Sequence, residues 1–135
     1  MSVTCVVRCP VEQFEPLVSV PGTTYFALSP GRSSTVAQWR ARGADVVDLT
    51  HHFESGFDDV AALLVNLDLI VTIDSGPAHL AGALGVPTCL MIDRVSAWFW
   101  GDQTQRTGWY DSVELFRQTR YRCLGTGCGR SAKAD

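Results

Sequence analysis

The chain has 135 residues, of which 46% are hydrophobic and 19% are charged, as is ordinary for one folded globular domain and unlike a disordered chain. Its net charge of −3 argues against a nucleic-acid-binding protein. No apolar run approaches the roughly 20 residues that span a bilayer, and the N-terminal segment lacks the pattern of a signal peptide, so we expect a cytoplasmic protein.

The five cysteines support the same compartment. Their number is odd and the chain is large enough to fold without a disulfide framework, which favours reduced thiols. Cys5 and Cys9 lie four positions apart, Cys123 and Cys128 lie five apart, and Cys89 stands alone. Structural zinc sites prefer tighter pairs of the form C-x2-C, so we expect no metal site.

Strands and helices alternate in the predicted secondary structure. The chain opens with a predicted edge strand at 4–8 and a weakly helical segment at 11–20. Later strands are predicted at 23–28, 46–49, 67–73, 87–92 and 112–116, helices at 33–42, 59–66 and 78–84, and a short helical turn at 97–100. The strand at 67–73 is almost continuously apolar, as in a parallel strand buried on both faces. This alternation predicts βαβ units and a single α/β domain with a parallel sheet.

Several residues are placed to begin or end these helices. Ser33 or Ser34 can cap the first helix and Asp58 the second, since short polar side chains accept hydrogen bonds from free N–H groups there. Gly43 and Gly85 follow the first and third helices and are expected to end them.

The segment DSGPAH, after the central apolar strand, carries the predicted chemistry. Ser75 or Gly76 can cap the following helix, and Pro77 suits its first turn. The free N–H groups and the helix dipole favour an anion, which Gly76 allows to approach the backbone closely. Ligands of open α/β sheets bind at this end of the strands.

Asp74 and His79 have two readings. Each could be structural, Asp74 as an acceptor for the turn and His79 as a satisfied, half-buried side chain. Their joint position favours ligand binding, in which His79 donates to a phosphate oxygen and Asp74 accepts from a sugar hydroxyl.

The run FDDVAALLVNLDLIVTIDSGPAHLAGALGVPTCLM, continued by AWFWGDQTQRTGWYDSVELFRQ, resembles the donor-binding half of B-type glycosyltransferases. The similarity is strongest to the heptosyltransferase-like group, family 9, and to transferase domains of tetratricopeptide-repeat proteins, and it covers about 16–118. The resemblance implies a Rossmann-like three-layer fold over 1–118, followed by a basic, Gly-containing tail at 119–135 that we expect to be solvated.

The resemblance also implies the positions of site residues. It places Ser75, Gly76 and His79 near the diphosphate of the donor, and Asp74 near its sugar or phosphate. Trp98 and Trp100, with Trp109 and Tyr110, would lie near the mouth of the same cleft, although aromatic residues of this kind serve equally often as core or loop anchors. No cofactor is implied other than a possible nucleotide-diphosphate sugar as the ligand.

Parts of a complete transferase are missing from the pattern. We expect the acceptor domain to be absent, and the first strand and Gly-rich loop of the donor domain to be replaced by 1–13. Neither His51 nor His52 has an orienting partner in sequence that would make it a general base. No catalytic residue is therefore assigned.

These observations predict a nucleotide or nucleotide-sugar binding module that is not catalytic alone. One alternative is a glycosyltransferase assembled by oligomerisation or with a partner domain, and another is a relic domain without activity. Because a missing half exposes apolar surface, we also predict a homo-oligomer.

Overall fold

The computed structural model describes residues 1–6, 16–28, 33–49, 51–52, 56–102 and 105–118. Six strands and three α-helices lie in these ranges, and residues 16–18, within the weakly helical segment predicted at 11–20, are helical as well. The strands are β1 (Ser2–Val6), β2 (Thr24–Ala27), β3 (Val46–Asp48), β4 (Leu69–Ile73), β5 (Thr88–Ile92) and β6 (Val113–Arg117), and the helices are α1 (Ser33–Ala41), α2 (Phe57–Leu64) and α3 (Gly76–Ala83), with a 3-10 turn at Trp98–Trp100.

The strands form one sheet in the order β3-β2-β1-β4-β5-β6, and every neighbouring pair is parallel. This is the strand order of the Rossmann fold, and it confirms the predicted α/β class. The order of strands reverses between β1 and β4, and open sheets of this kind bind ligands at the carboxyl ends of the strands beside such a point. None of the described helices is both long and apolar enough to cross a membrane.

Helices pack on both faces of the sheet. Val36 and Trp39 of α1 contact Tyr25 and Val71 on one face. Leu64 of α2 and other side chains pack with the opposite face, in two clusters that hold Ile70, Ala81, Val86, Ala78, Leu90, Ile92, Trp100, Val113 and Leu115. Successive residues of a strand point to opposite faces, so one central strand supplies both layers.

The first strand differs from its prediction in its residue bounds and in its location within the sheet. β1 spans Ser2–Val6 and pairs with both β2 and β4, so it is a central strand and the edge assignment at 4–8 was wrong. The expectation that the first strand is absent was also wrong. Its mixed composition suggested an edge, but the crossover connections decide where a strand lies. The segment 7–15, on which the predicted absence of a Gly-rich loop depends, and the tail 119–135 lie outside the described residues.

The helix ends agree with part of the prediction. Gly85 (φ 72°) ends α3, where its N–H donates to Gly82 O at 3.1 Å and the N–H of Val86 donates to Ala81 O at 3.0 Å, a Schellman motif. Asp58 is not the cap of α2, because that helix begins at Phe57 after Gly56, and Asp58 lies exposed in the first turn.

The first helix starts at Ser33, so this serine is a helical residue. Ser34 is helical too, so neither predicted serine cap stands before the helix. The residue that does precede it lies outside the described residues. Gly43, just beyond α1, has φ 88° and ends the helix as predicted.

Cys89 in β5 is half-buried and carries a free thiol. Burial, and then the carboxylate of its register partner Glu114 on β6, raise the pKa of this thiol. A raised pKa lowers the thiolate fraction at a given pH, and the thiolate is the nucleophile. We expect iodoacetamide at pH 8 to alkylate Cys89 more slowly in the folded chain than in urea, as measured by peptide mass spectrometry.

The variant Glu114→Gln separates charge from access. It removes the nearby carboxylate and leaves Cys89 in place, so alkylation of the folded variant should be faster than that of the wild type. Equal rates would show that the charge of Glu114 does not reach the thiol.

Candidate functional site

The candidate site lies where β4 passes into α3. Ser75 is the residue before the helix and has extended backbone angles, φ −163° and ψ 166°. Its hydroxyl does not cap the helix, contrary to one reading of the sequence, but donates to the carbonyl of Ile73 at 3.0 Å and lies 3.3 Å from the hydroxyl of Thr72. The first N–H groups of α3 are therefore not covered by the Ser75 side chain.

The first turn of α3 leaves one backbone donor at this end of the sheet, the N–H of Gly76, because Pro77 has no N–H and those of Ala78 and His79 both donate to Ser75 O. The first helical hydrogen bond runs from Ala78 N–H to Ser75 O at 3.0 Å, and the N–H of Gly76 precedes it. A side chain at Gly76 would crowd the exposed Phe57 ring, because a Cβ there would lie 3.0 Å from Cζ of that ring. A helix end of this kind suits an anion.

Asp74 and His79 lie side by side at the opening. Nε2 of His79 is 3.9 Å from Oδ1 of Asp74, which is longer than a hydrogen bond. The exposed fractions of the two side chains are 39% for His79 and 40% for Asp74. Both side chains are therefore partly exposed to solvent.

The ring of His79 is held from two directions. Its Nδ1 lies 3.1 Å from the hydroxyl of Tyr110, and its face stacks on Trp100 with centroids 4.9 Å apart and planes 20° apart. Phe99 packs beside it at 5.5 Å. The imidazole is thus fixed at one edge and one face, while Nε2 points towards Asp74.

The two tryptophans that were predicted to contact a ligand differ in burial. Trp98 is 83% exposed, whereas Trp100 is 1% exposed and packs beneath His79 within the core. The indole N–H of Trp100 has no hydrogen-bond partner among the described residues. In this arrangement Trp100 supports His79, and Trp98 is the tryptophan of the pair that faces solvent.

A cavity of about 650 Å³ opens at the carboxyl ends of β4, β5 and β6. Its floor is apolar. Its polar lining consists of Asp74, Asp93, Gln105, Arg117 and Gln118. Carboxylates and amides can accept hydrogen bonds from hydroxyl groups, so the lining suits a hydroxyl-rich ligand.

Arg117 lies one residue beyond the strand predicted at 112–116, and no role was predicted for it. It is the last residue of β6, and its guanidinium donates to Ser96 Oγ at 2.7 Å and to the carbonyl of Gly101. It also reaches the carbonyls of Asp93 and Arg94 at 3.4 Å. Arg117 therefore holds the loop that carries Trp98–Trp100, a role that only long-range pairing reveals.

The two adjacent histidines lie elsewhere. His51 follows β3, which is separated from β4 by two strands, β2 and β1. Its Nε2 is 2.9 Å from Ser33 Oγ. His52 is exposed. In the part of the chain that the structure describes, no three His, Cys, Asp or Glu residues are grouped as metal ligands.

Gly82 in α3 faces the ring of Tyr110. A Cβ at Gly82 would lie 2.5 Å from Cγ of Tyr110, closer than real contacts allow. We expect Gly82→Ala to lower the free energy of unfolding by about 1–3 kcal/mol through overpacking, although alanine otherwise favours a helix by about 1 kcal/mol. Urea denaturation measures this change.

The matched background is Tyr110→Ala, which removes the ring. There the same Gly82→Ala change should be neutral or stabilising. A stabilising effect in the wild-type background would contradict the packing of Tyr110 on Gly82.

Comparisons with known proteins agree with this fold. A family model described as glycosyltransferase family 9 (heptosyltransferase) matches residues 27–118. Protein FlbA of Caulobacter vibrioides is 29% identical over 93% of this chain, which spans 21% of that relative's length.

Two solved structures share the fold. A family 9 glycosyltransferase from Veillonella parvula superimposes with a TM-score of 0.61 at 15% identity, over 87% of this chain and 34% of that one. E. coli heptosyltransferase WaaC with ADP gives 0.56 at 16% identity, over 86% and 36%. The chain therefore spans about a third of these solved relatives.

Proposed function

We propose, from the premise that this chain belongs to glycosyltransferase family 9, that it binds a nucleoside diphosphate or a nucleotide-diphosphate sugar as a donor-type module. We do not propose that this chain alone catalyses a reaction. We place the module in the cytoplasm, in keeping with its odd number of cysteines.

The observation that carries the proposal is the open end of α3 with His79 and Asp74 beside it. The N–H of Gly76 and the positive end of the helix dipole attract a diphosphate. Nε2 of His79, which is not hydrogen-bonded to Asp74 at 3.9 Å, is free to donate to a phosphate oxygen. When ionised, Asp74 can accept hydrogen bonds but cannot donate them, so a sugar hydroxyl, which can donate, is its natural partner.

The alternative is a glycosyltransferase completed by a second copy or a partner domain. One observation favours it: large apolar side chains are exposed near the site. Val95 is 73% exposed, Trp98 83%, Trp109 63% and Phe116 48%. Contiguous apolar surface usually marks an interface, so we propose that this face is covered in a homo-oligomer or a larger transferase.

Isothermal titration with UDP, GDP and ADP, and with their sugars, tests the binding module. We expect at least one of these ligands to bind more tightly than about 1 mM, and heat in none of the titrations at that concentration would refute the proposal. A strictly monomeric mass in light scattering, without turnover of a donor, would exclude the self-assembled enzyme. A relic domain would show neither binding nor turnover.

A further inference from the structure

We propose that Tyr110 is a positioning residue that orients His79 and keeps its proton on Nε2, the nitrogen that faces the ligand position. The inference rests on the proposed function for its effect on binding. Its structural part, the protonation of one ring nitrogen, stands apart from any ligand.

The two ring nitrogens of His79 face different groups. Nδ1 lies 3.1 Å from the Tyr110 hydroxyl, and Nε2 lies on the other side, 3.9 Å from Oδ1 of Asp74. A neutral histidine carries one proton, so one nitrogen donates and the other accepts. The hydroxyl of Tyr110 can take either role, and the contact alone leaves the tautomer open.

The charge of Asp74 favours one of the two tautomers of His79. An ionised carboxylate attracts an N–H and repels a lone pair, so its position near Nε2 favours the proton there. A phosphate oxygen would impose the same preference, since it also only accepts. Nδ1 is then the acceptor, and Tyr110 is the donor. The hydrogen bond that another group makes to one nitrogen fixes the state of the other.

The ring of Tyr110 is held by packing. Its ring lies against the backbone of α3 at Gly82, where no side chain intervenes. Its ring also lies 6.3 Å from that of Trp100, the residue on which His79 stacks. Trp100 and Tyr110 both lie in the connection between β5 and β6, so this one connection contacts His79 at two places.

The test compares Tyr110→Phe with the wild type at pH 8.5, where free imidazole is neutral. Nitrogen-15 NMR of the His79 ring should show a protonated Nε2 and a hydrogen-bonded, unprotonated Nδ1 in the wild type. In Tyr110→Phe the Nδ1 resonance should lose its hydrogen-bond shift, because the ring is kept and only the hydroxyl is removed. A protonated Nδ1 in the wild type, or an Nδ1 resonance unchanged by the variant, would overturn the proposal.

Binding supplies the second measurement. With whichever of UDP, GDP and ADP binds the wild type, Tyr110→Phe should raise Kd about fivefold, the typical effect of one neutral hydrogen bond. An unchanged Kd together with a changed Nδ1 resonance would overturn the claim that the orientation of His79 matters for the ligand. If none of the three binds the wild type, the proposed function fails, and the NMR result still decides the role of Tyr110.

The matched control is Tyr25→Phe. Tyr25 is 2% exposed, and its hydroxyl donates to the carbonyl of Leu17 on the opposite face of the sheet. This variant also loses a hydrogen bond made by a tyrosine hydroxyl, so its melting temperature should fall, while its Kd and the His79 spectrum should match the wild type. A change in either would mean that general destabilisation explains the effect of Tyr110→Phe.

Discussion

The variant His79→Ala is expected to bind nucleoside diphosphates about 10- to 100-fold more weakly than the wild type. It removes a donor to a charged phosphate oxygen, and a hydrogen bond to a charged group contributes about 1.5–3 kcal/mol. The half-exposed imidazole faces the open end of α3, so the loss should fall on binding more than on folding. Isothermal titration against the nucleotide that binds the wild type measures it.

Two further variants control this experiment. His52→Ala removes an exposed histidine that lies after β3 and away from the site, so its affinity should equal that of the wild type. His79→Gln keeps an N–H donor and should recover part of the loss. If His79→Ala changed only the melting temperature and left Kd unchanged, His79 would be a structural residue and the ligand assignment would be wrong.

The variant Trp100→Ala is expected to lower the free energy of unfolding by about 3–5 kcal/mol. Trp100 is 1% exposed and packs with Leu90, Ile92 and Val113, so truncation leaves a cavity in the core of this face of the sheet. Small domains are stable by only about 5–15 kcal/mol. The melting temperature should therefore fall by roughly 10 °C or more, as calorimetry or circular dichroism would show.

Trp98→Ala is the matched comparison, two positions away. Trp98 is 83% exposed, and a substitution at such a surface position usually changes stability by no more than about 0.5 kcal/mol. Equal destabilisation by the two variants would contradict the burial of Trp100. Trp100→Phe, which keeps a ring beneath His79, should cost less than Trp100→Ala.

The sequence predicted the elements with strong local signals. The apolar run of β4, the small residues of α3 and the glycine at its end specify a buried strand followed by a helix, and the structure has both. Asp74 and His79 could be placed together because five residues across one turn bring them to the same end of the sheet. Local pattern is sufficient where the contacts themselves are local.

Features set by distant contacts could not be predicted in this way. The central position of β1 depends on pairing with β2 and β4, not on its own composition. The contact of Tyr110 with His79 joins residues 31 positions apart. Arg117 lies just beyond the strand predicted at 112–116, and its sequence position gives no sign of its acceptors in the loop after β5. Each of these features depends on the strand order of the sheet, which local sequence patterns do not specify.

Titration of the nitrogen-15-labelled chain with a nucleoside diphosphate tests the central claim most directly, because each backbone N–H reports separately. The account predicts that the amide resonances of Gly76, Ala78 and His79, at the start of α3, shift most and saturate together, and that His79→Ala abolishes the shifts at the same ligand concentration. Shifts concentrated elsewhere on the sheet, or the same shifts in His79→Ala, would contradict it.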